Sequence, residues 1–318
     1  ADCECGYSTS IDGSPVVFTD LIESDFTRFA QDHVAQLNTD WAPQAFNLTR
    51  ERARGDYGEM FAVENVFVAN PSSSSSYSEG QGESAGLGLV VRSKSVDGMV
   101  PVAEMDTRRL DLLWGTYRAS MKMTDVPGTC AAFFWYLNDT QEIDMEFLSK
   151  DFNSTNSSYP VNLVLQSREA ALAGYDASRT GNFAKAYLPF DPTDDFHEYR
   201  IDYTPGKVLF YADGRRLAEM DGPAVPSTAG HLILQHWSNG NKFWSGGPPA
   251  EDATLMVRYV KAYFNSSSSQ RQQDWAARCR DPAAPNAVCG IRDGMWFFKD
   301  QGNMTNNQTV YGESEGSS

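Results

Sequence analysis

The stretch Gln141-Glu142-Ile143-Asp144-Met145-Glu146-Phe147 alternates acidic and apolar side chains. A period of two fits a β-strand, on which successive side chains point to opposite faces. Glu142, Asp144 and Glu146 then share one face, and Ile143, Met145 and Phe147 share the other. The apolar face can enter a core. The acidic face aligns three carboxyls whose charges repel, which a strand serving only as surface would avoid.

Three aligned carboxyls suit catalysis by carboxyl groups. Glycoside hydrolysis takes a general acid for the leaving oxygen and a second carboxylate. When the second is a nucleophile, the two stand about 5–5.5 Å apart and the anomeric configuration is retained. Residues i and i+4 of a strand lie about 13 Å apart at Cα, at about 3.3 Å per residue. Two glutamates leaning together close most of that gap, and Asp144 between them can raise a neighbour's pKa or share its proton. Two plainer readings are a solvated acidic face and a calcium site.

The stretch resembles the active-site strand of glycoside hydrolase family 16, in the form without an extra residue before the last Glu. The resemblance implies Glu142 as nucleophile, Glu146 as acid/base and Asp144 as their electrostatic helper. Phe147-Leu148-Ser149-Lys150-Asp151 is similar to the licheninase strand end. So, more weakly, are Trp114-Gly115-Thr116-Tyr117 with Pro127-Gly128-Thr129, Phe196–Tyr199 with Val208–Gly214, His236–Gly240, Phe243–Gly247 and Val257–Val260. In this order they cover roughly Val16 to Phe264. The implied fold is all-β: a β-jelly roll sandwich of two curved antiparallel sheets, with a cleft on the concave face.

The chain by itself also reads as all-β. Strands are expected at Phe61–Val68, Leu87–Arg92, Tyr117–Met123, Ala131–Leu137, Gln141–Leu148, Val161–Gln166, Glu198–Tyr203, Val208–Ala212, His231–Trp237 and Met256–Phe264. Turns at Pro127-Gly128, Pro205-Gly206 and Asp213-Gly214 separate some of them. Many short strands with few helices indicate a sandwich or barrel. One helix is expected over Asp25–Leu37, and Ser72–Ser76 is an exposed loop. Gly80-Gln81-Gly82 echoes a dinucleotide fingerprint, but no strand signal precedes it and no helix signal follows. Three parts result: a Cys-bearing arm (1–12), a catalytic domain (13–265), and a docked appendage ending in a disordered tail (266–318).

Composition narrows the setting. The 318 residues carry 26 Lys and Arg against 42 Asp and Glu, a net charge of −16. Nucleic-acid binding needs a basic footprint, so that partner is excluded. No apolar run approaches the length of a membrane span. Seven Asn-x-Ser/Thr sequons begin at Asn47, Asn138, Asn153, Asn156, Asn265, Asn303 and Asn307. They favour a secreted glycoprotein, with Asn47, Asn153, Asn156 and Asn265 as the expected acceptors. The start at Ala1 reads as a mature or trimmed form, and the tail as the stub of a longer protein with room for a wall or membrane anchor. Of five cysteines, Cys279 and Cys289 are expected to close a local loop and Cys3 or Cys5 to reach Cys130, one thiol being left over.

Glycan clefts are lined by aromatics with polar groups between them. Trp135, Tyr136, Trp237 and Trp244 are candidates, and one of Phe133 and Phe134 should line the cleft. By resemblance Trp237, Trp244 and Asn162 match cleft residues, with Gln166 and Gln235 as weaker ones. His197 and His231 read as structural, and His236 faces core or cleft. No GxSxG marks a serine hydrolase. The licheninase Glu and Arg that follow the tyrosine are Arg118 and Ser120 here, and the tryptophan before the nucleophile is Thr140, so rebuilt subsites are expected. The expectation is a monomeric retaining endo-glycosidase on β-1,3- or mixed-linkage β-1,3/1,4-glucan. It needs no cofactor; structural calcium occurs in parts of the family, but nothing here pins one. The rivals are a wall transglycosylase using the same intermediate and a non-catalytic carbohydrate-binding module.

Overall fold

A computed structural model describes residues 2–28, 40–69 and 85–301. The first strands are β1 (Gly6–Ile11), β2 (Ser14–Phe18), β3 (Asp20–Asp25), β4 (Trp41–Pro43), β5 (Phe46–Leu48), β6 (Gly58–Phe61) and β7 (Val66–Ala69). The middle of the chain forms β8 (Gly86–Val91), β9 (Met99–Thr107), β10 (Leu112–Lys122), β11 (Cys130–Asn138), β12 (Gln141–Leu148), β13 (Pro160–Ser167) and β14 (Phe183–Tyr187). Then come β15 (His197–Thr204), β16 (Lys207–Ala212), β17 (Arg215–Asp221), β18 (His231–Trp237), β19 (Ala253–Ser266) and β20 (Val288–Gly290). Three α-helices are assigned among the described residues, α1 (Arg50–Ala53), α2 (Arg168–Leu172) and α3 (Ser269–Arg278).

Two sheets pack face to face. One runs β14-β13-β12-β11-β18-β9-β6-β5, with β4 beside β9; the other runs β17-β16-β15-β10-β19-β8-β7, with β3 beside β19. Ile143, Met145 and Phe147 of the first sheet meet Tyr117, Met121, Tyr199 and Ile201 of the second in one buried core. This is the expected all-β jelly roll. Its pairs are antiparallel except β6 with β9; a separate three-stranded sheet, β2-β1-β20, pairs β1 parallel to β20.

Several elements differ from expectation. Phe61–Val68 is two strands, β6 and β7, parted by a 3₁₀ turn at Val63–Asn65. The sequence gives no clear signal for β9, because Pro101 interrupts it. That proline is tolerated because β18 pairs only with residues 103–106 of β9, beyond it. The expected helix at Asp25–Leu37 starts as a 3₁₀ turn, Phe26–Arg28. Its remainder lies outside the described residues, as do the polyserine run, the Gly80-Gln81-Gly82 stretch, His33, Asn303 and Asn307.

The expected cysteine pairing is corrected. Cys3 bonds Cys289, Cys5 bonds Cys279, and Cys130 is the buried free thiol. Sequence neighbours suggested a local loop, whereas β1 runs parallel to β20 and brings the two ends together. The arm and the appendage therefore form one unit, packed on the outer face of the second sheet. Tyr7, Phe18, Leu209, Tyr263 and Phe298 share a small core there. Buried Lys261 donates to the carbonyls of Arg292 (3.3 Å), Gly294 and Trp296 (2.6 Å). Arg118, 1% exposed, pairs with Asp293 at 2.8 Å. Arg118 and Ser120 thus lie on the sheet opposite the carboxyls, and the idea that they rebuild subsites does not hold.

Candidate active site

β12 spans the residues that alternation predicts, and its register sets the site. Glu142 lies between Tyr136 and Gln166, Asp144 between Phe134 and Val164, and Glu146 between Ala132 and Asn162. Ile143, Met145 and Phe147 are at most 1% exposed, so the carboxyls occupy the face turned away from the core. Across this face one row reads Glu104, Gln235, Ala132, Glu146, Asn162 and Lys185, and the next reads Asp106, Ile233, Phe134, Asp144, Val164 and Phe183.

The carboxyls are electrostatically linked. Asp144 and Glu142 are hydrogen-bonded; burial first, then the neighbouring Glu142 charge, drive Asp144 well above the ordinary range, so Asp144 is the proton donor of the pair. Burial pushes Glu142 up to about 7 against that hydrogen bond, and the Glu146 charge adds to the rise. Burial likewise pushes Glu146 up to about 7, while hydrogen bonds from Trp244 and Cys130 and the charge of Arg54 pull it down. The Cys130 Sγ lies 3.6 Å from Glu146 Oε1. Asp144 Oδ1, Asn162 Nδ2 and Gln166 Oε1 are buried without a hydrogen-bond partner in the protein. Such groups are rare in folded chains and fit polar atoms that await a ligand.

The sequence-expected aromatics separate. Trp244 reaches the site: its side chain bonds Glu146, and its ring stands 6.4 Å from Phe183. Trp237 shares the cleft-facing side of β18 and packs beside Val100, Val102 and Tyr57. Phe134 and Tyr136 line the same face with Ala132 and Ile233, and Phe133 enters the core. Trp135 is a correction: it is fully buried, its indole donates to Leu112 O at 3.0 Å, and its ring packs on Tyr203. Antiparallel alternation along β11 puts residues 130, 132, 134 and 136 on the acid face and 131, 133 and 135 in the core.

His236 belongs to the core, between Leu89 O (2.9 Å) and Thr129 Oγ1 (2.8 Å). Burial pushes its pKa down to about 4. His197 stacks on Phe190 and contacts Asp213 at 2.6 Å. His231 lies on the cleft side, with its Nε2 3.5 Å from Asp106 and its ring against Tyr136.

Four functional candidates carry no motif. Glu104 and Glu59 form a second acidic patch on the cleft sheet, and burial pushes both up to about 8. Gln235 donates to Glu104. The Arg54 guanidinium lies 4.6 Å from the Tyr175 ring centroid, and its charge lowers the pKa of Glu142 and Glu146. Among the described residues, no cluster of His, Cys, Asp and Glu is arranged to hold a metal ion, and no helix is long and apolar enough to cross a membrane. Asn47, Asn138, Asn153 and Asn156 are exposed, and Asn265 is half-buried.

A jelly roll with an acidic row on the outer face of one sheet defines a class of β-sandwich proteins that bind or act on glycans. The chain belongs to glycosyl hydrolases family 16, whose model matches residues 102–261, half of its length. It is 29% identical to a β-glucanase of Bacillus licheniformis over 159 residues, 46% of this chain and 58% of that protein. The match spans little more than half of that relative's length. Among solved structures it resembles the endo-β-1,3-glucanase of Pyrococcus furiosus, with a TM-score of 0.57 and 17% identity over 82% of this chain and 99% of that one. It also resembles the Crh5 transglycosylase, with a TM-score of 0.53 and 20% identity over 77% and 84%. At these identities the two structures share the fold.

Proposed function

We propose that the protein is a retaining endo-β-glucanase acting on β-1,3- or mixed-linkage β-1,3/1,4-glucan. The observation that carries this reading is the carboxyl row of β12, with Glu142 and Asp144 hydrogen-bonded and Glu146 held by separate donors. Membership of the family and the likeness to bacterial β-glucanases support it.

The reaction divides into two displacements. Protonated Asp144 donates to Glu142 and keeps it an ionised nucleophile. Glu142 attacks the anomeric carbon while the glycosidic C–O bond breaks, and the Glu146 proton passes to the departing oxygen. Glu146, now a carboxylate, takes a proton from water; the hydroxide bonds the anomeric carbon and frees Glu142. Trp237, Trp244, Tyr136 and Phe134 offer flat apolar surfaces to sugar rings. The unpaired Asn162 and Gln166 groups suit sugar hydroxyls.

The setting proposed is extracellular, on a fungal or plant wall, for a monomeric glycoprotein bearing glycans at Asn47, Asn153, Asn156 and Asn265. Two long-range disulfides support an oxidising compartment. Replacing Glu146 by Gln should lower turnover of lichenan or laminarin by about 10²–10⁴-fold, and Glu142→Gln should abolish the covalent intermediate. Near-full activity in either variant refutes that residue's role. The second reading, a wall transglycosylase, is favoured by the fold shared with the Crh5 enzyme. Excess acceptor oligosaccharide separates the two: longer products mean transfer, and only shorter ones mean hydrolysis.

A further inference from the structure

Two separate parts of the chain wall the carboxyl row. On one side, α2 and the turn after it fold over the outer face of β13. Ala170 and Ala177 are buried against Val164 and pack on Phe183. Ser167 Oγ caps α2 by accepting from Ala170 N at 3.1 Å. Tyr175 follows in a left-handed conformation, φ 64°, with its N–H bound to Ala170 O at 2.8 Å. The wall is thus pinned at its base, while Tyr175 is 37% exposed.

On the other side, α1 ends at Arg54, also left-handed at φ 61°. The segment after β18 holds it: Asn239 Nδ2 donates to Ala53 O at 2.7 Å and Asn241 Nδ2 to Arg54 O at 3.3 Å. Gly55 permits this contact, because a Cβ there would stand 2.2 Å from Asn239 O. A cavity of about 550 Å³ opens beside Arg54, lined also by Arg50, Asp56, Lys242 and Phe243. Arg54 reaches from this wall to the other, where its guanidinium lies over the Tyr175 ring at 4.6 Å. Its charge acts on Glu142 and Glu146, and also on Glu59 of β6.

We propose that Arg54 and Tyr175 form a clasp across the cleft and are specificity-determining residues, admitting an unbranched glucan chain and excluding one that carries a side unit on the sugar beneath the clasp. The inference rests on the β-glucanase reading and deepens it. Both backbones are fixed, so only the two side chains can move aside. An exposed cation–π contact is weak enough to part for a linear chain. The freed groups still fit that chain, with the phenol ring against sugar C–H faces and the guanidinium on hydroxyls. A branch on the same sugar needs the volume in which the two side chains meet.

The test compares kcat/KM on an unbranched β-1,3-glucan with that on a β-1,3-glucan bearing single 6-linked glucosyl units. The native enzyme should prefer the unbranched chain by about tenfold or more, the scale on which pocket shape discriminates. Tyr175→Ala should bring the ratio close to one by raising kcat/KM on the branched chain, and Arg54→Ala should move the ratio the same way. Tyr175→Phe keeps the ring and should keep the preference. An unchanged ratio in Tyr175→Ala, or a native enzyme that accepts both chains equally, overturns the proposal. Should the native enzyme cleave neither glucan, the glucanase reading fails by itself. The clasp is then tested by thiol bridging in an Arg54→Cys, Tyr175→Cys double variant with bis-maleimides of increasing spacer length, long enough to replace the two lost side chains. Rapid bridging of the folded protein supports contact across the cleft, and its absence overturns it.

Discussion

Glu146 is the side chain on which the most influences converge. Burial favours its protonated form, and Trp244, Cys130 and Arg54 favour its ionised form. The Cys130 thiol is itself pushed well above its ordinary range, first by burial and then by the Glu146 charge. It therefore stays protonated and acts as a donor. If Glu146 is the acid, activity falls on the alkaline side as it ionises. Loss of the thiol removes a bond to the charged form, so Cys130→Ala should shift the alkaline limb of the pH–rate profile upward by about half a unit, given that S–H is a weak donor. Cys130→Ser, which keeps a donor, should hold the limb at or below its native position. A limb unmoved in the alanine variant removes Cys130 from the acid/base. The three carboxylates were legible from alternation alone. Cys130 was not, because its partner comes from a neighbouring strand.

Among the elements, β12 and β11 show where periodicity informs and where it is silent. In β12 acid and apolar side chains alternate, so the faces are written in the chain. Ile143, Met145 and Phe147 follow that pattern into the core. In β11, by contrast, Ala131 to Leu137 is apolar at every position. Such a run fits a strand buried on both faces, and no period tells which residues face the cleft. Trp135 was accordingly expected on the wrong side. β9 was missed because Pro101 masks its pattern, and Glu104 and Asp106 went with it. The core role of β12 has a direct test. Met145 is fully buried, and Met145→Ala should cost about 2–5 kcal/mol of unfolding free energy. The urea midpoint measures it, and a change below about 1 kcal/mol would mean that this face is not packed as described.

At the scale of the whole molecule, the cleft sheet buries acids in an already acidic chain. Glu59 and Glu104 ordinarily titrate near 4.5, and burial pushes both up to about 8; the Asp106 charge adds to the rise at Glu104, and the Arg54 charge opposes it at Glu59. A raised carboxyl makes the folded state bind more protons than the unfolded one between these values. Stability then decreases with rising pH across that window. Their contribution is complete below about pH 4.5 and is lost as pH rises through about 8. Thermal unfolding should therefore occur at a higher temperature near pH 5 than near pH 8. The Glu59→Gln, Glu104→Gln double variant should flatten the dependence, and an unchanged slope would argue against these two groups. At this scale the cysteines were misread, since pairs separated by 286 and 274 residues leave no local signal.

The sequence by itself determined the strand-rich class and the row of three carboxyls opposite an apolar face, because a period of two is a local property that needs no partner. Tertiary structure alone decided the rest: which face β11 turns to the cleft, which cysteines meet, that Arg118 and Ser120 belong to the far sheet, and that Arg54 reaches Tyr175. Each of these depends on the register between segments distant in the chain, and register is set by the packing of the two sheets, not by neighbours in sequence.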